Sequence, residues 1–381
     1  MFLSPAVIAG IVVGVFLVLL TFIGLLWYCV LRRRSSSNRN SETGSSDPST
    51  LVEWNRGGQV SSAVGSHLAE NHGARQFTLE ELQQATRNFN GLNLVGTGSF
   101  GQIYKGLLLD GTVVAIKRRV SPAQQDFVEE VRRLSEIRHR NLVTLIGYCQ
   151  EGGYQMLVYE YLPNGSVCGH LYGDSGTRLE FKQRLSIAIG VAKGLSHLHS
   201  LSPPVVHNNF KTSNVLVDEN FIAKVADAGI IRLIQGSDKA GPSNRPSGSI
   251  YHDPEVSSLM QQSESSDVYS FGVFLLELIS GKEAAHLVPP ELKSSFIPWV
   301  ESHLNSNELI DPRLNLSFTS EGMRDLINLI LHCVTSSSRR RPKMRLVATE
   351  LDRILETEMN LTTVMGDGTA IVTLGSQLFT S

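Results

Sequence analysis

Three glycines and a lysine are the first residues in this chain whose types and spacing could do chemistry. Gly96, Gly98 and Gly101 lie in one turn between two strand-like runs, and Lys117 follows on the next alternating run. Glycine lets the backbone fold closely over a phosphate group where a side chain would collide. The group indicates a phosphate-binding site, although such glycine spacings also recur by chance and in dinucleotide-binding folds.

A second group lies further along the chain. One loop contains Asn209, Lys211 and Asn214, and Asp227 follows at the head of an Asp-Ala-Gly sequence. Amide and carboxylate oxygens are ligands suited to Mg²⁺. The amide of an asparagine cannot accept a proton, so position 209 offers no general base.

Regular elements are predicted around both groups. Thr78 and Glu81 form a capping box at the start of a short amphipathic helix that precedes the glycine turn. Residues 127–137, which include Glu130, are predicted as a helix, and residues 156–161 as a strand. The order of turn, strand, helix and strand is far more specific than the glycine spacing alone.

Together these motifs resemble the plant receptor-like kinase (RLK/Pelle) family over about residues 77–355. The resemblance implies an α+β, bilobal protein-kinase fold with a β-rich N-lobe and a helical C-lobe, preceded by a single transmembrane helix. The expected division is a short extracellular N-terminus at 1–5, a transmembrane helix at 6–30, a disordered juxtamembrane linker at 31–75, the N-lobe with its preceding helix at 76–162, the C-lobe at 163–356 and a C-terminal tail at 357–381.

The resemblance also implies a role for each candidate site residue, with ATP and Mg²⁺ as cofactors. In the family the lysine holds the α and β phosphates, and the helix glutamate orients it through an ion pair. Tyr159 is the expected gatekeeper, and the hinge backbone after it is expected to bind adenine. The expected cofactor-binding residues are Gly96, Gly98, Gly101, Lys117, Glu130, Glu160 and Leu162, the metal ligands are Asn214 and Asp227, and the catalytic positions are Asn209 and Lys211.

Three further positions match structural marks of the family. Glu255 and Arg341 are expected to form a largely buried ion pair, and Asp267 is expected to hold the backbone of the catalytic loop. These roles concern the fold and not the activity.

The departures from the family pattern fall at positions that serve catalysis or the activation segment in the family. Asn209 replaces the aspartate that takes the proton of the substrate hydroxyl, and losing a positioned base typically costs about 10²- to 10⁴-fold in rate. Asn208 replaces the arginine that pairs with a phosphorylated activation segment. Residues 248–253 are one residue shorter than the family pattern, which casts doubt on a peptide-substrate platform.

Ala228 replaces a phenylalanine that normally packs beside the helix bearing Glu130. The replacement predicts a gap next to Leu134 and Leu145. A rigid hole of that kind costs roughly 3 to 5 kcal/mol, and less if neighbouring side chains refill it. We therefore expect loosened control of the helix.

These features predict a pseudokinase that binds ATP, transfers phosphate poorly and acts as a scaffold or allosteric partner of active receptor kinases. The sequence does not decide whether the chain is an active enzyme, and it favours an inactive one. A weakly active serine/threonine kinase is the first alternative, because phosphoryl transfer depends mostly on positioning and electrostatic stabilisation. In that case Lys211 would neutralise the transferred group. A nucleotide-free adaptor is the second alternative.

The first thirty residues predict a membrane anchor. The run from Val7 to Leu26 carries no charge, and Arg32, Arg33 and Arg34 follow shortly after. About 20 apolar residues cross a bilayer. A cleaved signal peptide is disfavoured because no basic segment precedes the run, which is longer than a signal peptide's apolar core.

The arginines after the run predict its orientation and the location of the chain. By the positive-inside rule, the N-terminus lies outside and the kinase domain in the cytosol of a single-pass plasma-membrane protein with almost no ectodomain. Ala6, Gly10 and Gly14 repeat every fourth residue, so a homodimer through this face is a further hypothesis.

Composition sets the remaining limits. The formal net charge of −2 over 381 residues gives no reason to expect nucleic acid as a partner. The four cysteines include no close pair, so a reduced, cytosolic domain is expected. The stretch 31–75 is rich in Ser, Asn and Gly and lacks the apolar surface needed to order it.

Overall fold

The computed structural model describes residues 73–121, 125–173, 179–235, 249–256, 263–289, 296–303, 309–314 and 317–365. The chain divides into two units, Met1–His67 and Leu68–Ser381, and all described residues belong to the second. Within these ranges no helix is both long and apolar enough to cross a bilayer. The predicted span at 6–30, with Ala6, Gly10 and Gly14, lies outside the described residues, as does most of the predicted linker.

A six-stranded sheet in the order β1-β5-β6-β4-β3-β2 forms the N-lobe of the described chain. The β1–β5 pair is parallel and the other neighbouring pairs are antiparallel. The elements are β1 (Arg75–Gln76), α1 (Leu79–Thr86), β2 (Leu94–Thr97), β3 (Gln102–Leu107), β4 (Val113–Val120), α2 (Gln125–Ser135), β5 (Leu145–Glu151) and β6 (Tyr154–Glu160).

The alternation of side chains along β4 gives the sheet two different faces. Val114 and Ile116 are buried together with Cys149 in a cluster that α1 covers. Ala115 and Lys117 have the opposite parity and therefore belong to the other face, against which α2 packs. The sheet thus separates a purely structural layer from the layer that carries the candidate site.

The capping box predicted for α1 is confirmed. The backbone N–H of Glu81 donates to Thr78 Oγ1 over 3.1 Å, and the N–H of Thr78 donates to Glu81 Oε2 over 2.8 Å. The two bonds satisfy amides that the helix start leaves without a partner. A short helix of eight residues is thereby fixed at a defined entry angle onto the sheet.

The C-lobe is mainly helical. Its centre is α6, in which every residue from Ser266 to Ser280 is buried, as expected for a helix at the middle of a large core. A Cβ on Gly272 would lie 2.8 Å from Cys333 Cβ, so glycine allows α6 to approach α9 closely. The elements are α3 (Val167–Tyr172), α4 (Phe181–Ser200), β7 (Val215–Val217), β8 (Ala223–Val225), α5 (Ile230–Gln235), α6 (Glu264–Ser280), α7 (Ala284–Leu287), α8 (Phe296–His303), α9 (Ser320–Val334) and α10 (Met344–Met365).

The last helix, α10, continues to Met365, past residue 356, at which the lobe was predicted to end. Glu358 on this extension is fully buried. Its carboxylate accepts the backbone N–H of Thr319 over 2.9 Å at the start of α9. An acidic group at a helix N-terminus is favourable, so the extension packs against α9 at Glu358.

Candidate functional site

The catalytic loop is held by Asp267 at the start of α6, as predicted. Asp267 Oδ2 accepts the backbone N–H of His207 over 2.8 Å, and its Oδ1 accepts the N–H of Asn208 over 3.1 Å. His199 Nε2 lies 2.9 Å from the same carboxylate. Asn208 has a φ of 65°, a left-handed conformation that these bonds stabilise. The prediction for Asp267 is confirmed.

The loop brings the candidate metal ligands to one edge of the β7–β8 hairpin. Asn214 Nδ2 donates to the backbone oxygen of Asn209 over 2.9 Å, and the N–H of Ala226 donates to the backbone oxygen of Asn214 over 2.8 Å. Asp227 follows directly after Ala226. Asn209 is half-buried and Lys211 is exposed. The hydrogen bonds that hold the loop are therefore formed around Asn209, whose side chain cannot act as a base.

Lys117 forms an ion pair with Asp227, and both side chains are largely buried. The predicted pair between Lys117 and Glu130 is not present. Glu130 instead binds Arg133 one turn further along α2 and lines a groove of about 350 Å³ between α2 and α5. The prediction of a Lys117–Glu130 pair is therefore wrong for this arrangement, because Lys117 pairs with Asp227 instead.

The side chains of α5 explain why Glu130 lies away from Lys117. Ile230 and Leu233 are buried in the same cluster as Leu134 on α2 and Leu145 on β5. They fill the space next to Leu134 and Leu145 where Ala228 predicted a gap. The φ of Gly229 is 72°, and a Cβ there would lie 2.8 Å from Leu134 Cδ2, so glycine permits this close approach.

The glycine-rich turn is tight, and the side chain of Phe100 in it is buried. The N–H of Gly98 donates to the oxygen of Gly101 over 2.8 Å, with a reciprocal bond of 3.2 Å. Phe100, between them, is only 3% exposed and packs in the cluster that holds Ile230 and Leu233. Gly101 has a φ of 145°, and a Cβ there would lie 2.2 Å from the oxygen of Arg118. Only glycine fits this position.

The hinge is fixed to both lobes through Glu160. One carboxylate oxygen accepts the N–H of Thr144 over 2.7 Å, and the other lies 2.7 Å from Lys224 Nζ on β8. Leu162 is buried two residues after the end of β6. Tyr159 is buried beside Lys117, and its pKa is raised by burial and by the charge of Asp227. The phenol therefore stays neutral at physiological pH.

The residues present fit ATP with Mg²⁺ in their chemistry. Asn214 and Asp227 supply the amide and carboxylate oxygens that Mg²⁺ prefers. Lys117 supplies a cation for phosphate. Because it contacts Asp227, the residue expected to bind phosphate lies next to a residue expected to bind the metal. In the described arrangement Lys117 neutralises the Asp227 carboxylate, to which Mg²⁺ would otherwise bind.

The buried ion pair in the C-lobe differs from the predicted one. Arg341 Nη1 lies 2.6 Å from Asp253 Oδ2, and its Nη2 lies 2.8 Å from Asp253 Oδ1. Glu255 is exposed and accepts the N–H of Ser338. The predicted Glu255–Arg341 pair is wrong, because Asp253 faces the guanidinium with both oxygens.

Sequence reasoning missed Arg119 as a site residue. It lies two positions after Lys117 on β4 and therefore on the same face of the sheet. Its Nη2 donates to the backbone oxygen of Leu233 on α5 over 2.8 Å. The period-two alternation could have placed Arg119 on this face, but its partner on α5 carries no sequence signal.

Comparisons with known proteins agree on the kind of domain. A family model described as protein tyrosine and serine/threonine kinase matches residues 90–351. A probable leucine-rich repeat receptor-like protein kinase of Arabidopsis thaliana is 40% identical over 74% of this chain, which spans only 31% of that relative's length. The probable serine/threonine-protein kinase PBL28 of the same plant is 36% identical over 78% of this chain and 84% of its own length.

Two solved structures are similar to this chain. The pseudokinase domain of BIR2, an immune regulator of the RLK/Pelle family, superposes with a TM-score of 0.61 at 33% identity, covering 73% of this chain and 86% of that one. An apo pseudokinase superposes with a TM-score of 0.59 at 25% identity, covering 78% of this chain and 99% of that one.

Proposed function

This chain belongs to the plant receptor-like kinase (RLK/Pelle) family of protein kinases, and we propose that it is a receptor-like pseudokinase. In this proposal it binds ATP with Mg²⁺, has impaired phosphoryl transfer and acts as a scaffold or allosteric partner of active receptor kinases. A membrane anchor at 6–30 holds it at the plasma membrane with the kinase domain in the cytosol.

The observation that carries the proposal is Asn209 inside a loop whose backbone is held by Asp267 and Asn214. Asp267 fixes the loop backbone and Asn214 binds the backbone of Asn209, so the substitution stands in a correctly built site. Asparagine has nearly the shape of aspartate but cannot take the proton of a substrate hydroxyl. The loop thus keeps its geometry and lacks its base.

The remaining residues support binding of a nucleotide. When bound, ATP with Mg²⁺ supplies the phosphoryl group and neutralises its developing charge. Lys117 would hold the phosphates, Asn214 and Asp227 would hold the metal, and the hinge backbone from Glu160 to Leu162 would orient adenine. Lys117 must leave Asp227 for this to happen.

The scaffold half of the proposal is supported by the completeness of the fold. The C-lobe retains its buried Arg341–Asp253 pair and its fixed loop, neither of which serves the chemistry. BIR2, whose pseudokinase domain is similar, is an immune regulator. We extend a regulatory role of that kind to this chain.

Radiolabelled phosphate transfer by the full chain tests impaired catalysis. Wild type, Lys117→Met and Asn209→Asp are incubated with ATP and with Mg²⁺ or Mn²⁺. We expect no incorporation by wild type or Lys117→Met, and measurable incorporation by Asn209→Asp. Incorporation by wild type that Lys117→Met abolishes would show a slow true kinase, the alternative that the retained Lys211 favours.

A nucleotide-free adaptor is the second candidate, and the Lys117–Asp227 pair favours it because the pair closes the metal position. Thermal unfolding with and without ATP and Mg²⁺ separates the candidates. Ligand at 100 times its dissociation constant adds about 2.7 kcal/mol to the free energy of unfolding. A chain that shows no shift at millimolar ATP is an adaptor.

A further inference from the structure

Arg119 lies at a point where three elements of the cleft meet. Its guanidinium carbon lies 4.6 Å from the ring centre of Phe100 on the glycine-rich turn. Its Nε donates to Gln155 Oε1 on β6 over 2.9 Å, and its Nη2 donates to the backbone oxygen of Leu233 on α5 over 2.8 Å. One side chain therefore connects the turn, the sheet and α5.

The burial of these contacts makes them strong. Gln155 is fully buried and Phe100 nearly so. Burial lowers the pKa of Arg119, yet an arginine remains charged at any physiological pH. Hydrogen bonds that involve a charged donor are stronger than neutral ones. These bonds fix the planar guanidinium in one orientation, unlike that of an arginine on the surface.

In the arrangement that Arg119 holds, the residues expected to contact the nucleotide are paired differently. Ile230 and Leu233 lie in the cluster that also contains Phe127 and Val131 of α2. While they stay there, Glu130 binds Arg133 and Lys117 binds Asp227. The phosphates need the space beneath the turn, and Phe100 is packed into that side of the sheet. Formation of the expected contacts therefore requires Lys117 and Glu130 to exchange their partners.

We propose that Arg119 is a positioning residue that latches α5 to the glycine-rich turn, so that ATP–Mg²⁺ binding and release of α5 are coupled. The coupling to ATP rests on the proposed nucleotide-binding function, whereas the latch itself does not. Release of α5 frees Glu130 to approach Lys117 and frees Asp227 for the metal. The latch thus regulates access to the site.

Arg118 provides a matched control in the same strand. Its guanidinium lies 4.1 Å from the ring centre of Tyr154 and 4.3 Å from that of Phe89, on the opposite face of the sheet. Arg118→Ala removes the same charge and the same side chain one residue away. It leaves every contact of Arg119 in place.

The experiment uses the full chain, purified in detergent, as wild type, Arg119→Ala, Arg119→Lys and Arg118→Ala. Amide hydrogen exchange of residues 230–235 reports release of α5, and titration with a fluorescent ATP analogue and Mg²⁺ reports affinity. We expect about tenfold faster exchange and about tenfold tighter binding in Arg119→Ala, as loss of one charge-assisted hydrogen bond implies. Arg119→Lys, which keeps the charge and the stem, should fall between Arg119→Ala and wild type, and Arg118→Ala should match wild type.

Each outcome decides one part of the proposal. Unchanged exchange at 230–235 in both Arg119 variants overturns the latch. Faster exchange with unchanged affinity overturns the coupling. Faster exchange in a chain that binds no nucleotide in any variant supports the latch and rejects the nucleotide half of the proposed function. If Arg119→Ala fails to fold, Arg119→Lys carries the same comparison.

Discussion

Two buried ion pairs, Arg341–Asp253 and Lys117–Asp227, differ in how firmly they are held. Arg341 binds both oxygens of Asp253 and also donates to the backbone oxygens of Thr335 and Ser265, with no exposed side-chain surface. Lys117 makes one ion pair through a flexible stem, and its amino group lies 5.4 Å from the ring centre of Tyr159. The first pair is a fixed part of the fold, whereas the second can exchange its partner. The contrast separates what this domain needs in order to fold from what it needs in order to bind.

The largest expected effect is on the fixed pair. Arg341→Ala leaves Asp253 buried without its partner, which typically costs about 3 to 5 kcal/mol. Urea unfolding of the full chain measures the loss. Glu255→Ala is the control, because Glu255 is exposed, and it should cost less than about 1 kcal/mol. A larger loss in Glu255→Ala than in Arg341→Ala would reverse the assignment of partners.

The exchangeable pair should be less costly to break. Lys117→Met leaves Asp227 without its cation, but this pair has a single ion contact, whereas Arg341 binds Asp253 through two. We expect a loss of about 1 to 3 kcal/mol, the range for one unsatisfied buried polar group. The same urea unfolding measures it. A loss equal to that of Arg341→Ala would show that both pairs are structural.

The fixed pair also predicts a dependence on pH. Burial opposes ionisation of Asp253, but the hydrogen bonds from Arg341 and from the N–H of Glu255 outweigh burial, so the pKa of Asp253 lies below its ordinary value of 3.8. The stability that the pair contributes is therefore present above pH 3.8 and is lost as the pH falls through the lower, folded pKa. Unfolding free energy measured from pH 6 to pH 2.5 should fall more steeply in wild type than in Arg341→Ala. Parallel curves would contradict the assignment.

The smallest effect concerns His139, whose ring is stacked on that of His197 at a centroid distance of 4.8 Å. Burial, His197 and Arg140 lower the pKa of His139 below 6.5. The folded state then binds fewer protons than the unfolded state, so this residue makes folding less favourable as the pH falls below 6.5. Ring-proton NMR of His197→Gln should show the pKa of His139 moving back towards 6.5. An unchanged titration would exclude His197 as a cause and leave burial and Arg140.

The sequence predicted the parts of the site whose partners are local or fixed by a repeated motif. The capping box of Thr78 and Glu81 depends on a spacing of three residues, and Asp267 reaches its loop from one helix end. The partners of Lys117 and Arg341 could not be predicted in the same way. In both cases the sequence offers two candidate carboxylates, and the choice between them depends on packing, which the order of residues does not reveal.

The packing of α5 shows the same limit. The sequence predicted a gap beside Leu134 and Leu145 from the small side chain of Ala228. Ile230 and Leu233 occupy that space, because a short helix forms directly after Gly229 and turns its apolar side chains inwards. A missing aromatic ring was visible in the sequence, but the residues that replace it come from a segment whose conformation depends on tertiary contacts.

The buried cysteines on β5 and α9 have a practical consequence for spectroscopy. Cys149 and Cys333 are fully buried, and burial raises the pKa of each thiol to about 12. Only the thiolate reacts with maleimides, so these two side chains stay unlabelled in the folded protein. With Cys29 and Cys168 changed to serine, Arg232→Cys on the exposed side of α5 provides one reactive cysteine for attaching a fluorophore. The opening of the cleft could then be followed in real time.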